Sequence, residues 1–458
     1  MNQLPRHVYA VGIGGIGVSA IARFFMANGV RVSGSDPSTL PTVEDLRQLG
    51  ADIVTIPQPE RLADVDLLIY TDAYPPDQVE RAAAVARGIP CLSFAQSLGW
   101  IMSRYQRRVG VSGTNGKSTT SAILGLILTN AGHEPSVFVG SRVAEFKGNL
   151  RLGTSDVFVA EADEYRDHFL QLHPTMAIIT SVELDHVEFF KTQERMEESY
   201  EQFVAQLNGG LLVINADDPV AMRRWATRPQ TVSFGFNPLA TVRIESFEAG
   251  EGQEKFTLHR GSERFGPFTI HIPGRYNVMN VVGAMVMAES LGVPFSEMSK
   301  TISDFRGIWR RFEVLNPGGR TLVINDYAHH PTSVRGTIDG ARVFYPSRRL
   351  IAVFQPHHRQ RLKALFDDFA QSFKCAHLVI LTETYTVAGR ETTDQDLKTS
   401  WDLTEAVRAQ GVKCHYAPAL SDVINHIAAI VQPGDALLLM GAGDIWTLGR
   451  PLADTYGK

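Results

Sequence analysis

Apolar and polar positions along this 458-residue chain fall into two recurring textures. Short, nearly continuous apolar runs such as HVYAVGI (7–13), DLLIYT (66–71), MAIITSV (176–182), RLIAVFQP (349–356) and ALLLMGAG (436–443) predict strands buried on both faces. Between them lie stretches with apolar residues three and four apart, including GVSAIARFFMANG (17–29), ending at Gly29, and PDQVERAAAVARG (76–88), which predict amphipathic helices. Their alternation is the pattern of βαβ units and parallel sheets. Between residues 231 and 271 the runs shorten and alternate (TVRIESF, KFTLHR, FTIHI), predicting a small antiparallel sheet. The helical pattern NVMNVVGAMVMAESLG (277–292) follows.

The length exceeds what one hydrophobic core usually serves. The polar RYQRR (104–108) and the change of pattern near Gly307 divide the chain into three expected α/β domains: 1–106, 107–307 and 308–458. With 44% apolar and 20% charged residues the composition is that of an ordinary globular protein. A net charge of −5 gives no reason to expect nucleic-acid binding or attraction to an anionic membrane, so an anionic ligand needs a local site. Cys91, Cys375 and Cys414 are scattered, suggesting neither a disulfide framework nor a zinc site, and a cytoplasmic location is expected. Residues 8–27 are long and apolar enough to raise the question of a membrane span. Gly12, Gly14, Gly15, Gly17 and Arg23 within them favour a strand, a tight turn and a helix, with no membrane insertion.

Two glycine-rich segments carry candidate chemistry. VSGTNGKSTT (111–120) follows a strand pattern and opens a helix, the context in which backbone N–H groups and a helix N-terminus cradle phosphate. Its glycines, lysine and following hydroxyl make Gly113, Thr114, Asn115, Gly116, Lys117, Ser118 and Thr119 candidate ATP contacts. Lys117 is expected on the β/γ-phosphates and Ser118 on Mg²⁺. Val111 stands where the strict phosphate-loop pattern has glycine; a glycine turn with an exposed lysine is the bland alternative. GIGGIG, through Gly12, Gly14 and Gly17, with Asp36 ending the next strand, would taken alone predict a dinucleotide-binding domain and a nicotinamide-dependent oxidoreductase.

GTNGKSTT without the first glycine resembles the Mur ligase superfamily of ATP-dependent, amide-forming enzymes, and other segments match that family in order along essentially the whole chain. The resemblance implies three domains: a Rossmann-like UDP-binding domain, a central P-loop ATPase-like domain carrying the small antiparallel sheet, and a Rossmann-like C-terminal domain. In VFVAEADEY (157–165), Glu161 matches the family's metal-binding glutamate, and in ELDH (183–186) His186 matches a histidine that helps bind a second metal. Together with Ser118 these are the expected metal ligands; Lys117, Glu161 and His186 are the expected catalytic residues. In PGRYNVMNVVGA, Asn277 and Asn280 stand three apart on one side of a helix start and match nucleotide-binding asparagines; Tyr276 replaces a histidine common in the family. Arg311 in WRRFE is a further ATP-binding candidate, with an ordinary linker charge as its alternative.

NDYAHHP (325–331) is similar to the DDYGHHP-type segment of UDP-N-acetylmuramate–L-alanine ligases, and FQPHHRQR (354–361) to a QPHRYTR-type segment. This implies an amino-acid site with candidates Tyr327, His329, His358, Arg359 and Arg361. Arg361 matches the second family arginine, whereas the first falls on His358, with Arg359 one place later. GIGGIG and SGSD resemble that branch's UDP-sugar loop, making Gly12, Gly14, Gly15, Gly17, Ser19 and Asp36 the expected UDP-sugar contacts. The implied reaction joins L-alanine to UDP-N-acetylmuramate with ATP and Mg²⁺, in peptidoglycan precursor synthesis. EADEY is similar to the recycling ligase that attaches a whole L-Ala-γ-D-Glu-diaminopimelate tripeptide, which is the second reading. A non-catalytic nucleotide-binding sensor is a third.

Overall fold

A computed structural model describes residues 3–38, 40–250, 252–385 and 398–458 of the chain. It is an α/β protein with three sheets. By internal contacts the chain forms two compact units: Met1–Ser112, Gly132–Ile178 and Ser199–Leu212 in the first; Gly113–Ala131, Ile179–Glu198 and Val213–Lys458 in the second.

In the first unit, a five-stranded parallel sheet has the order Asp52–Val54, Arg31–Ser35, His7–Val11, Leu67–Tyr70, Cys91–Ser93. The central strand HVYAV is buried at every position, as expected for a run covered on both faces. Val11 lies opposite both Ser35 and Tyr70, so three strand ends meet where the chain order reverses, the place where open α/β sheets bind ligands. The glycine turn starts there and leads into the helix Ile16–Ala27. The segment 8–27 is thus a strand, turn and helix, and among the described residues no helix is long and apolar enough to cross a membrane. The same unit pairs Arg107–Ser112 in parallel with Val157–Glu161, and the latter with Ser136–Val143.

In the second unit, Val242–Gly250, Gln253–Arg260 and Glu263–Ile270 form the expected antiparallel ribbon. The helix Lys117–Asn130, buried almost all round, packs on the similarly buried Arg275–Ser290; all-round apolar surface is what a helix inside a core requires. The six-stranded sheet has the order Glu313–Val314, Leu322–Asp326, Asp435–Met440, Arg349–Phe354, Leu378–Leu381, Cys414–Tyr416. All its pairs are parallel except the first. Strand pleating sorts its side chains: Leu350, Ala352 and Phe354 enter one core cluster, while Ile351 and Val353 enter the other. Each fully buried Leu or Val contributes roughly 1.5–3 kcal/mol. Asp326 pairs with Met440 and Met440 with Phe354. This register brings the segments after all three strands to one edge.

The ribbon holds an unusual carboxyl. Glu254 is 1% exposed, Oε1 accepts the Gly274 N–H at 2.6 Å, and Oε2 has no hydrogen-bond partner. Burial pushes its pKa up to about 7, against the lowering effect of Gly274. The folded protein therefore holds a proton that the unfolded chain releases above the ordinary glutamate range. The stabilisation is complete below about pH 4.5 and is lost as pH rises through about 7, to a total of about 3 kcal/mol. Glu254→Gln, which keeps the acceptor for Gly274, should remove this loss. Denaturant unfolding from pH 4.5 to 8 should show the variant gaining on the parent as pH rises. Parallel curves would show that Glu254 does not carry the effect.

Candidate active site

The phosphate-loop segment begins where the strand Arg107–Ser112 ends. Gly113 has φ +136° and Gly116 φ +88°, conformations that L side chains rarely adopt. Space is equally restrictive: a Cβ on Gly113 would meet the Thr180 hydroxyl and, at 2.8 Å, the Ser181 nitrogen; one on Gly116 would meet the Asn280 amide. The loop is braced by its own unit. Thr114 N–H donates to the Ser181 carbonyl (3.0 Å), Asn115 N–H to Ser181 Oγ (3.0 Å), and Thr114 Oγ1 to the Glu183 carbonyl (2.8 Å). Lys117 Nζ donates back to the Gly113 carbonyl at 2.7 Å, folding the ammonium over the loop. The helix Lys117–Asn130 starts here, so its first N–H groups and partial positive charge face the loop. Ser118 and Thr119 are buried in its first turn.

Asn277 and Asn280 do share one side of their helix start: Asn280 Nδ2 donates to Asn277 Oδ1 at 3.2 Å, and Asn277 Nδ2 to the Pro273 carbonyl at 2.8 Å. Asn280 is packed directly on the loop through Gly116. Arg311 reaches Ser118 Oγ at 3.5 Å and lies over the Tyr327 ring. It therefore belongs with the loop rather than with surface linker charges. Arg310, beside it, is buried, donates to the carbonyls of Gly441 (2.6 Å) and Gly443 (3.2 Å), and has its pKa lowered to about 10 by burial.

The second group of candidates sits at the edge of the six-stranded sheet. Asp326 is turned inward, both oxygens accepting backbone N–H groups, from Phe312 at 2.8 Å and Ala328 at 2.7 Å. Burial raises its pKa despite the nearby Arg311. His329 Nδ1 lies 2.9 Å from the Tyr327 carbonyl, and its ring packs edge-on to Tyr327 and His357. Burial, reinforced by the charge of Arg361, pushes the His329 pKa well down, so its imidazole is neutral near pH 7. His358 stands at φ +65° as the N-cap of the helix Arg359–Ala364, with Arg359 exposed. Arg361 differs from both: it is 3% exposed and bound to Asp185.

Sequence reasoning missed Asp185. It is 4% exposed and accepts from Arg361 Nε at 2.8 Å and Nη2 at 2.6 Å. Burial opposes its charge, but the Arg361 guanidinium holds its carboxyl well below the usual range. Its sequence signal was the acid preceding His186 in ELDH, which carried no hint of a partner 176 residues away. His186 has φ +50°, and its Nδ1 lies 3.7 Å from Glu188. Two further bonds tie loop and edge together: Ser333 Oγ donates to Asn115 Oδ1 at 2.5 Å, and Thr332 Oγ1 to Glu183 at 2.7 Å.

The remaining candidates belong to the first unit. Glu161 ends its strand opposite Val111 and accepts the Gly140 N–H at 2.6 Å. In the amino-terminal turn, Gly12 has φ +72°. Asp36 accepts the Gly14 N–H at 2.7 Å and, through its other oxygen, the Ser38 N–H at 2.9 Å. Its carboxylate thus shapes the turn from within. Gly15 N–H bonds back to the Gly12 carbonyl (3.1 Å), and Ser19 N–H to that of Gly15 (2.9 Å); Gly17 lets the helix approach Phe94.

Three family models cover most of the chain: Mur ligase family, catalytic domain, over residues 7–106; Mur ligase middle domain over 111–288; and Mur ligase, glutamate ligase domain over 310–443. A UDP-N-acetylmuramate–L-alanine ligase from Clostridium novyi is 33% identical over 97% of this chain and 96% of its own. That from Salinibacter ruber is 36% identical over 96% and 93%. The crystal structure of the UDP-N-acetylmuramate–alanine ligase from Thermotoga maritima superposes with a TM-score of 0.84 at 26% identity, covering 98% of this chain and 99% of that one. A murein peptide ligase from Psychrobacter arcticus shares the fold, with a TM-score of 0.70 at 23% identity over 99% of each chain. With three family models over most of its length and relatives 33% and 36% identical over nearly all of it, the chain belongs to the Mur ligase family.

Proposed function

We infer that this protein is an ATP-dependent ligase joining L-alanine to the carboxylate of UDP-N-acetylmuramate, a step in peptidoglycan precursor synthesis. The carrying observation is that one compact unit holds both the phosphate loop and the basic edge around Arg361, stitched together by Asn115–Ser333 and Glu183–Thr332. Full-length similarity to named alanine ligases selects L-alanine over the tripeptide. It also removes the nicotinamide reading of GIGGIG, leaving that turn for the UDP-sugar.

The reaction is a phosphoryl transfer followed by an acyl transfer. The muramate carboxylate takes the γ-phosphoryl group of ATP, with ADP leaving, to give an acyl phosphate; the L-alanine amine then attacks the acyl carbon, the bond from that carbon to the phosphate oxygen breaks, and the nitrogen gives up a proton as the amide forms. Lys117 and the N–H groups from Gly113 to Thr119 hold the phosphates and offset their charge. Asn277, Asn280 and Arg311 complete the nucleotide side. Tyr327, His329, His358, Arg359 and Arg361 are the amino-acid side, with Arg361 receiving the substrate carboxylate. Neutral His329 does not compete with it for charge. For Mg²⁺, the Ser118 hydroxyl is an oxygen donor of the type a hard divalent ion accepts; His186 and Glu161 are ligand candidates by family resemblance alone. When bound, the ion supplies further positive charge to the phosphates.

Phosphate release with ATP, Mg²⁺ and UDP-N-acetylmuramate tests the reading, with L-alanine, glycine, L-serine or the tripeptide offered separately. L-Alanine should drive the fastest release. Release with the tripeptide alone would transfer the protein to the recycling reaction, and release with none would remove the ligase activity.

A further inference from the structure

We propose that Asp185 is a positioning residue for the amino-acid substrate: by engaging one side of the Arg361 guanidinium, it fixes which edge of that group the substrate carboxylate meets. This rests on the reading that Arg361 receives that carboxylate. The geometry is specific. Arg361 offers five N–H donors in a rigid fork; Nε and Nη2 both point at Asp185 Oδ1, at 2.8 and 2.6 Å, and Nη1 lies 3.4 Å from His357 Nδ1. Nη1 and Nη2 together form the end of the fork, the edge on which a carboxylate can be bound through two parallel bonds.

Both partners are almost wholly buried. A buried guanidinium deprived of its carboxylate is costly and reorients toward other acceptors or water. A pre-oriented arginine instead loses little side-chain freedom when the substrate arrives. Oδ2 of Asp185 lies 3.9 Å from His329 and 4.0 Å from His186, beyond hydrogen-bond reach. Oδ1 also accepts the His186 backbone N–H at 2.7 Å, a bond within its own turn; Arg361 is the side chain that donates to Asp185, and the proposal assigns the effect of Asp185 to it.

The test is a kinetic cycle on the full-length enzyme with Asp185→Asn, Arg361→Ala and the double variant, measuring KM for L-alanine, ATP and UDP-N-acetylmuramate. Asp185→Asn should raise KM for L-alanine at least tenfold while leaving the other two within about twofold. The double variant should be no worse than Arg361→Ala alone, because a residue acting through another adds nothing once its target is gone. Asp185→Glu, which keeps the charge but displaces it by one methylene, should fall between parent and Asn. It serves as the readout if Asp185→Asn does not fold. If Arg361→Ala raises KM for L-alanine but Asp185→Asn and Asp185→Glu do not, or the effects multiply in the double variant, Asp185 only braces its loop and the proposal falls. If Arg361→Ala itself leaves KM for L-alanine unchanged, the assignment of Arg361 falls and the proposal with it.

Discussion

Lys117→Ala should lower turnover by about 10²–10³-fold, the usual cost of removing one preoriented charge-stabilising donor, and leave the protein folded. Lys117 Nζ donates to the carbonyls of Gly113 at 2.7 Å and Thr114 at 3.5 Å. The loop's shape is carried mainly by bonds from Thr114 and Asn115 to Ser181 and Glu183, which the substitution leaves intact. Steady-state phosphate release together with a thermal melt separates the two effects. A variant with the parent's melting midpoint and turnover within threefold of the parent would remove Lys117 from the chemistry.

Gly113→Ala should destroy the nucleotide site and lower stability by about 3–5 kcal/mol, combining left-handed strain with overpacking. The new Cβ would collide with the Thr180 hydroxyl and stand 2.8 Å from the Ser181 nitrogen. The second neighbour is backbone and holds the loop through its own carbonyl, so it has little room to yield. Gly132→Ala is the matched control: φ is +79°, and nothing lies within 4 Å of the added Cβ, leaving only the conformational cost of about 1–2 kcal/mol. Urea unfolding and ATP-binding titration of both variants make the comparison. Equal losses in the two, with ATP binding intact in Gly113→Ala, would mean the loop is more yielding than its contacts indicate.

Much of the candidate site is legible in the sequence because its parts are local. The phosphate loop needs glycines, a lysine and a helix start within ten residues, and GIGGIG needs only a strand before it and a helix after. Asn277 and Asn280 were placed together by helical spacing alone, and the structure adds that Asn280 packs on Gly116. Arg311 could not be separated from a linker charge by pattern, because its contact with Ser118 spans 193 residues. Asp36 was expected at the UDP-sugar; its two oxygens are engaged by Gly14 and Ser38, a role in shaping the turn that the spacing of the fingerprint does not reveal.

By itself the sequence determined the α/β class, the antiparallel insertion, and the strand-to-helix turns where phosphate-bearing ligands are expected, since hydrophobic period and glycine placement act over a few residues. The tertiary structure alone decided which basic group is buried and which exposed: Arg361 is locked to Asp185 while Arg359, two residues away, is exposed. It also decided that Ser333 meets Asn115 and Thr332 meets Glu183. Such pairings depend on strand order and register, which parallel strands joined by long crossovers do not encode in any one short stretch. An ion pair or hydrogen bond between residues far apart in the chain exists only once the sheet has set those strand ends side by side.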